Sequence, residues 1–113
     1  MLNYSEDERP SCLIVRFEGD FASQDDKELR ALFGRLVEDG RTRIAADMTK
    51  VSFLDSIILG TLVWGMKKMR DAGGDWRLFG LHAFVRRLFD ITQLDKAFKL
   101  FDDEESAVAS FDP

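Results

Sequence analysis

The sequence predicts a single α/β domain with a mixed, mostly parallel sheet of about four to five strands and about four helices. Its 113 residues suffice for one domain and not for two ordinary ones, so the domain is expected to span residues 1–113. Along the chain, short segments that are apolar, or in which apolar and polar residues alternate, are followed by longer segments with helical periodicity. That alternation is typical of crossover units in a parallel sheet. With 45% hydrophobic and 33% charged residues, the composition is typical of a globular protein.

The strands are predicted from alternation and from short buried runs. The N-terminal edge segment, 1–10, is expected to add a short strand that Pro10 ends, which makes the sheet mixed. Between Cys12 and Glu18, alternate side chains are apolar, which indicates a strand with one buried face. The predicted strands cover residues 2–4, 12–18, 43–48, 76–79 and 98–101.

The helices are predicted from apolar residues at helical spacing and from the residues that end or begin a helix. Gly40 is expected to end the first helix, and Gly73 with Gly74 the second. Asp103 is expected to be the N-cap of a small terminal helix in the last segment, 103–113. The predicted helices cover residues 23–39, 56–72, 84–89 and 103–113.

Charge and composition argue against several classes of function. A net charge of −5 opposes direct binding to nucleic acid or to an anionic membrane, and no apolar stretch is long enough to insert into a membrane. The single cysteine, Cys12, indicates a reducing, cytoplasmic location. No phosphate-binding glycine motif occurs, and His82, the only histidine, has no visible partner for catalysis or zinc binding. We therefore expect no enzyme activity, no cofactor and no metal.

The most informative segment is Val51-Ser-Phe-Leu-Asp-Ser-Ile-Ile-Leu-Gly60, where a strand leads through a turn into the second helix. Ligands and partners of open α/β sheets bind at this kind of turn. A phosphate on Ser56 would face the unpaired amides and the positive dipole of the helix N-terminus. A docked partner would instead have to desolvate the added charge. The alternative is that Asp55 and Ser56 serve only as a helix cap.

The same helix has apolar residues away from its predicted core face. Leu59, Leu62, Val63 and Met66 share the core face, whereas Ile57 and Trp64 lie nearly opposite, together with Thr61 and Lys68. One interpretation is a contact surface for a partner. The other is that the next helix or the N-terminal segment covers Trp64.

Three segments resemble the STAS domain of anti-sigma-factor antagonists, a domain also found in the cytoplasmic tails of sulphate transporters. They are Val51-Ser-Phe-Leu-Asp-Ser-x-x-Leu-Gly60, Gly73-Gly74 and Arg86-Arg87-Leu-Phe-Asp-Ile-Thr-x-Leu94, in the same order and spacing as in the family. The resemblance implies a STAS-like fold and binding to an anti-sigma factor that is also a serine kinase. It further implies that the kinase phosphorylates Ser56 and thereby ends binding, and that a PP2C-type phosphatase restores it. The partner-binding residues expected on this basis are Asp55, Ser56, Ile57, Ile58, Thr61, Trp64, Asp20 and Ala22.

Two positions depart from the family pattern. Ile57 and Ile58 stand where the family has Ser or Thr followed by Gly, and Ala22 stands where its Gly-Glu-hydrophobic-Asp turn has a second acid. Both changes alter the surface that a partner would meet. The alternative function is therefore a constitutive STAS adaptor subunit of a lipid-transport ATPase complex or of a stress-signalling assembly. A weak homodimer is compatible with either function.

Overall fold

The structure is a computed structural model that describes residues 2–112. Over these residues it contains five strands and four α-helices, with two short 3-10 turns at Ser23–Asp25 and Leu94–Lys96. In chain order the elements are β1 Asn3–Glu8, β2 Leu13–Phe21, α1 Asp26–Glu38, β3 Arg43–Leu54, α2 Ser56–Asp71, β4 Asp75–Phe79, α3 Ala83–Ile91, β5 Leu100–Phe101 and α4 Glu104–Ala109. The α/β class, the mixed sheet and the alternation of elements predicted from the sequence are confirmed.

The five strands form one sheet in the order β1-β2-β3-β4-β5. β1 is antiparallel to β2, and all other neighbouring pairs are parallel. In the central register Leu13 lies opposite Ile44, which in turn lies opposite Trp76. From β2 onward, each parallel strand is joined to the next through a helix, as crossover connections require.

Alternate residues of the strands face two separate clusters of buried side chains. The larger cluster lies between the sheet and α1, α2 and α3, and it includes Val15, Phe33 and Trp76. The smaller one lies under α4 on the opposite face and includes Ile14 and Phe111. None of the helices between residues 2 and 112 combines the length and the apolar character needed to cross a bilayer.

The largest difference from the sequence prediction is the length of β3. The strand was expected to end at Met48 but continues to Leu54, because its second half still pairs with β2, with Leu54 opposite Phe21. Pairing with β4 stops much earlier, at Asp47 and Phe79. β3 therefore extends beyond the end of β4, and only Asp55 lies between the last residue of β3 and the first residue of α2.

The two edge strands also differ from their predicted lengths. β1 extends to Glu8 because each of its residues from Asn3 onward pairs with β2. β5 contains only Leu100 and Phe101, because the Phe98 amide donates to the Leu94 carbonyl of the preceding 3-10 turn. The helices match their predicted positions within a few residues, and the Asp103 side chain accepts a hydrogen bond from the Ser106 amide as the predicted N-cap of α4.

Candidate functional site

The candidate site lies where β2 and β3 end and α2 begins. The two strands stay paired to their last residues, and the Asp55 amide donates to the Phe21 carbonyl at 3.1 Å. Asp55 itself has an extended backbone, and α2 starts at the next residue, Ser56. The segment 51–60 singled out from the sequence therefore lies at the carboxyl edge of the sheet, the edge at which open α/β sheets bind ligands.

The Asp55 carboxylate organises this edge by accepting two backbone hydrogen bonds. Its Oδ1 accepts from the Ile58 amide at 3.0 Å, which caps α2, and its Oδ2 accepts from the Ser23 amide at 2.7 Å. The second bond reaches the connection between β2 and α1. One side chain thus fixes the first turn of α2 relative to the neighbouring loop.

The Ser56 side chain is exposed at the first position of α2. Asp55 supplies the cap, and the Ser56 hydroxyl makes no hydrogen bond to any residue between 2 and 112. Of the two residues that the alternative interpretation assigned to the cap, Asp55 is the cap and Ser56 is not. Ser56 is therefore accessible to another protein.

The turn after β2 brings Asp20 and Ala22 to the same edge. Asp20 is exposed, and its Oδ1 accepts a hydrogen bond from the Ser52 hydroxyl at 3.1 Å. Ala22 is half-buried, and its amide donates to Oδ2 of Asp25 at 3.2 Å. Asp25 is the nearest acid along the chain after Ala22 but is only 4% exposed, so it does not replace the missing surface acid.

Two of the predicted contact residues, Ile58 and Thr61, are completely buried, each with 0% exposure. The expectation that Thr61 shares an outward face with Ile57 is wrong, because α1 packs along α2 and covers that side. The Thr61 hydroxyl donates to the Asp26 carboxylate of α1. Together with the Arg30 guanidinium, this bond lowers the pKa of Asp26. Of the two isoleucines that depart from the family pattern, only Ile57, which is 52% exposed, changes the surface.

Trp64 is half-buried against α1. Its ring meets Phe33 edge-on, with centroids 6.1 Å apart, and the cationic groups of Arg30 and Lys68 lie 4.9 and 5.0 Å from the indole centroid. The element that packs against Trp64 is therefore the preceding helix, α1, which the sequence interpretation did not name. Part of the ring remains accessible at the side of the molecule.

Exposed apolar side chains near Ser56 include two that the sequence did not assign to a surface. Phe53 at the end of β3 and Phe84 at the start of α3 are 40% and 50% exposed. Their rings stack at 5.9 Å with an interplanar angle of 16°. The sequence placed Phe84 in the third predicted helix, 84–89, without assigning it to a face. The only sequence signal for Phe53 was its position next to the Leu54-Asp55-Ser56 turn.

Known proteins resemble this chain in sequence and in fold. A Listeria monocytogenes anti-sigma-B factor antagonist is 44% identical over 48 residues, which cover 42% of each chain. The crystal structure of an anti-sigma factor antagonist from Thermotoga maritima superposes with a TM-score of 0.89 at 20% identity, over 96% of this chain and 93% of the other. The Bacillus cell fate determinant SpoIIAA in its phosphorylated form gives a TM-score of 0.73 at 19% identity, over 96% and 98% of the two chains.

A sequence profile of the STAS domain matches residues 3–107, which is nearly the whole chain. The match includes all five strands and the segment from Asp55 to Gly60 at the start of α2. The chain belongs to the STAS domain family.

Proposed function

We propose that this protein is an anti-sigma-factor antagonist controlled by phosphorylation of Ser56. In its unphosphorylated form it binds an anti-sigma factor that is also a serine kinase, and a PP2C-type phosphatase reverses the modification. The names of the similar Listeria and Thermotoga proteins support the general role. The proposed contact surface comprises three exposed residues, Asp20, Ser56 and Ile57, and two half-buried ones, Ala22 and Asp55, at the start of α2 and on the adjoining turn.

The observation that carries the proposal is the accessible Ser56 hydroxyl beside a helix that Asp55 already caps. A kinase needs a serine whose hydroxyl projects into solvent and is not required by the fold. Asp55 takes over the capping role and satisfies the Ile58 amide. Ser56 is then free to be modified without loss of the cap.

Phosphorylation of Ser56 is expected to change the free energy of partner binding more than the free energy of folding. A phosphate of about −1.5 to −2 charge at the helix N-terminus gains about 0.3–1 kcal/mol from the helix-end field. Repulsion by the Asp55 carboxylate opposes that gain, so the free energy of folding changes little. A docked partner would bury the same charge without a counter-charge, which costs several kcal/mol. Phosphorylation therefore disfavours the complex far more than it disfavours the fold.

The test uses the anti-sigma kinase encoded in the same genome, purified and supplied with Mg-ATP. Mass spectrometry should find one phosphate on the wild type and none on Ser56→Ala, while Ser52→Ala, an exposed serine of the same edge, remains a substrate. By calorimetry, Ser56→Ala should bind the kinase as tightly as the unphosphorylated wild type. Ser56→Asp should bind at least about tenfold more weakly while keeping its melting temperature.

Two results would contradict this function. Phosphate incorporation into Ser56→Ala would assign the modification to another residue. Equal affinities of the Ala and Asp variants would remove the switch and leave Ser56 on the surface of a constitutive adaptor.

A further inference from the structure

Most of the large exposed apolar side chains that the structure describes lie on β3, α2 and α3. Of the five large apolar residues exposed between positions 2 and 112, only Tyr4 lies on β1. The other four are Phe53, Ile57, Phe84 and Ile91. They occupy the end of β3, the first turn of α2 and the outer face of α3. Large exposed apolar groups that cluster in this way mark interaction sites more often than isolated ones do.

The outer face of α3 has helical spacing that matches a partner helix. Phe84 and Ile91 are seven residues apart, so they lie on nearly the same side of the helix, 50% and 66% exposed. Leu88 lies between them and is half-buried. Side chains at such intervals form the apolar stripe against which an amphipathic helix packs. Phe53, stacked on Phe84, adds a second exposed ring to the stripe and precedes Ser56 in the chain by three residues.

Arg87 supplies the charge that identifies the partner's chemistry. It is exposed on the same side of α3, between Phe84 and Ile91, and it makes no ion pair or hydrogen bond within residues 2–112. The adjacent Arg86 differs, since its Nε donates to Asp90 at 3.1 Å. A protein that covers Phe84 and Ile91 and buries Arg87 must either provide a carboxylate for it or desolvate an unpaired guanidinium, which disfavours binding. Aromatic and Arg side chains are also the residues that most often dominate binding energy.

We propose that Phe53, Phe84, Arg87 and Ile91 form a docking surface for an amphipathic helix that carries Asp or Glu among its apolar anchors. The surface adjoins the Ser56 turn through Ile57, so the same partner can contact both. The inference rests on the proposed function only in assigning that helix to the anti-sigma kinase. The charge preference follows from the unpaired Arg87 beside the two exposed apolar side chains.

The test uses two synthetic amphipathic helical peptides with the same Leu positions, one carrying Glu and the other Lys at the flanking positions. Titration of the ¹⁵N-labelled full chain should move the amide resonances of residues 53, 57 and 84–91 with the Glu peptide. The Kd for the Lys peptide should be at least about tenfold higher. Arg87→Glu should reverse this preference, whereas Arg86→Glu, at the position already paired with Asp90, should change it much less. Phe84→Ser should weaken both peptides and keep a folded spectrum, because half of that side chain is already exposed.

Three outcomes would contradict the proposal that these residues form a docking surface. They are equal Kd values for the two peptides, resonance changes confined to other faces, and concentration-dependent shifts of residues 84–91 without peptide. The last result would mean that a second copy of the chain covers the surface. Failure of the proposed function is separately visible: the Glu peptide would bind while the kinase neither binds nor phosphorylates Ser56. If the kinase responds to Ser56 and the peptides do not bind, only the docking surface is wrong.

Discussion

The carboxylate of Asp55 accepts a hydrogen bond from the amide of Ser23 at 2.7 Å, although 32 positions separate the two residues. This bond joins the first turn of α2 to the connection between β2 and α1. The other oxygen of Asp55 caps α2 through the Ile58 amide, so this side chain is hydrogen-bonded to two segments of the candidate site. Ser56 directly follows Asp55, so these two hydrogen bonds hold the backbone next to it.

Replacing Asp55 by Ala should destabilise the fold by about 2 kcal/mol. Loss of a helix cap costs about 0.5–2 kcal/mol, and loss of the bond from Ser23 adds about 1 kcal/mol. Asp103→Ala is the matched control, since Asp103 caps α4 through hydrogen bonds from Ser106 of the same helix. It should cost about 1 kcal/mol. Urea denaturation measures both free energies of unfolding, and equal losses would mean that the Ser23 bond contributes nothing to stability.

Two glycines of α2 should respond in opposite directions to substitution by Ala. A Cβ at Gly65 would lie 2.1 Å from the ring of the buried Phe33, so Gly65→Ala should cost about 1–3 kcal/mol despite its better helix propensity. A Cβ at Gly60 would meet nothing within 4 Å. Gly60→Ala should therefore stabilise the protein by about 0.5–1 kcal/mol. Thermal and urea unfolding of both variants check the pair, and a stabilised Gly65→Ala would show that Phe33 moves aside freely.

The fold was predictable because its elements have local signals. Apolar periodicity, the Gly73-Gly74 stop and the Asp103 cap each act within one or two helical turns. The extension of β3 has no such signal, because residues 49–53 are largely exposed and are held in a strand by pairing with β2. Pairing of this kind depends on a segment more than 30 residues away and on two irregularities in its register.

The candidate site was predictable only in part, for the same reason. The Asp-Ser pair is visible in the sequence as a helix start, but the Ser23 amide that fixes Asp55 is distant along the chain. A helical projection also assumes one buried side, whereas α2 is covered by the sheet and by α1, and this buries Thr61. The stack of Phe53 on Phe84 depends on how β3 and α3 meet, which neither segment encodes alone.

Asp75 should make stability depend on pH in the acidic range. Burial alone would raise the pKa of this carboxyl. The hydrogen bonds from Arg70 at 2.8 Å and Arg77 at 2.9 Å outweigh that effect, so its pKa lies below the ordinary value. The unfolded chain therefore binds the proton more readily. The stabilisation is fully present above the unfolded pKa of about 3.9 and is lost as the pH falls through the lower folded value.

The variant Asp75→Asn isolates this contribution. It should be less stable than the wild type at pH 7, because the ion pairs with Arg70 and Arg77 are lost. The difference should shrink as the pH falls from about 5 toward 2, since the wild-type carboxyl becomes protonated over that range. Urea unfolding at each pH gives the two curves. A constant difference between them would mean that the pKa of Asp75 is the same in the folded and unfolded states.

Trp64 should contribute mainly to stability, and Ile57 mainly to partner binding. The Trp64 ring packs edge-on against Phe33 but is only half-buried. Trp64→Ala should therefore cost about 2 kcal/mol, less than the 3–5 kcal/mol of a fully buried aromatic. Ile57 is 52% exposed beside Ser56, so Ile57→Ala should leave the melting temperature nearly unchanged and weaken kinase binding several-fold. Scanning calorimetry and titration calorimetry on both variants separate the two effects. If Trp64→Ala melts like the wild type and binds the kinase poorly, Trp64 belongs to the contact surface and the packing against Phe33 adds little stability.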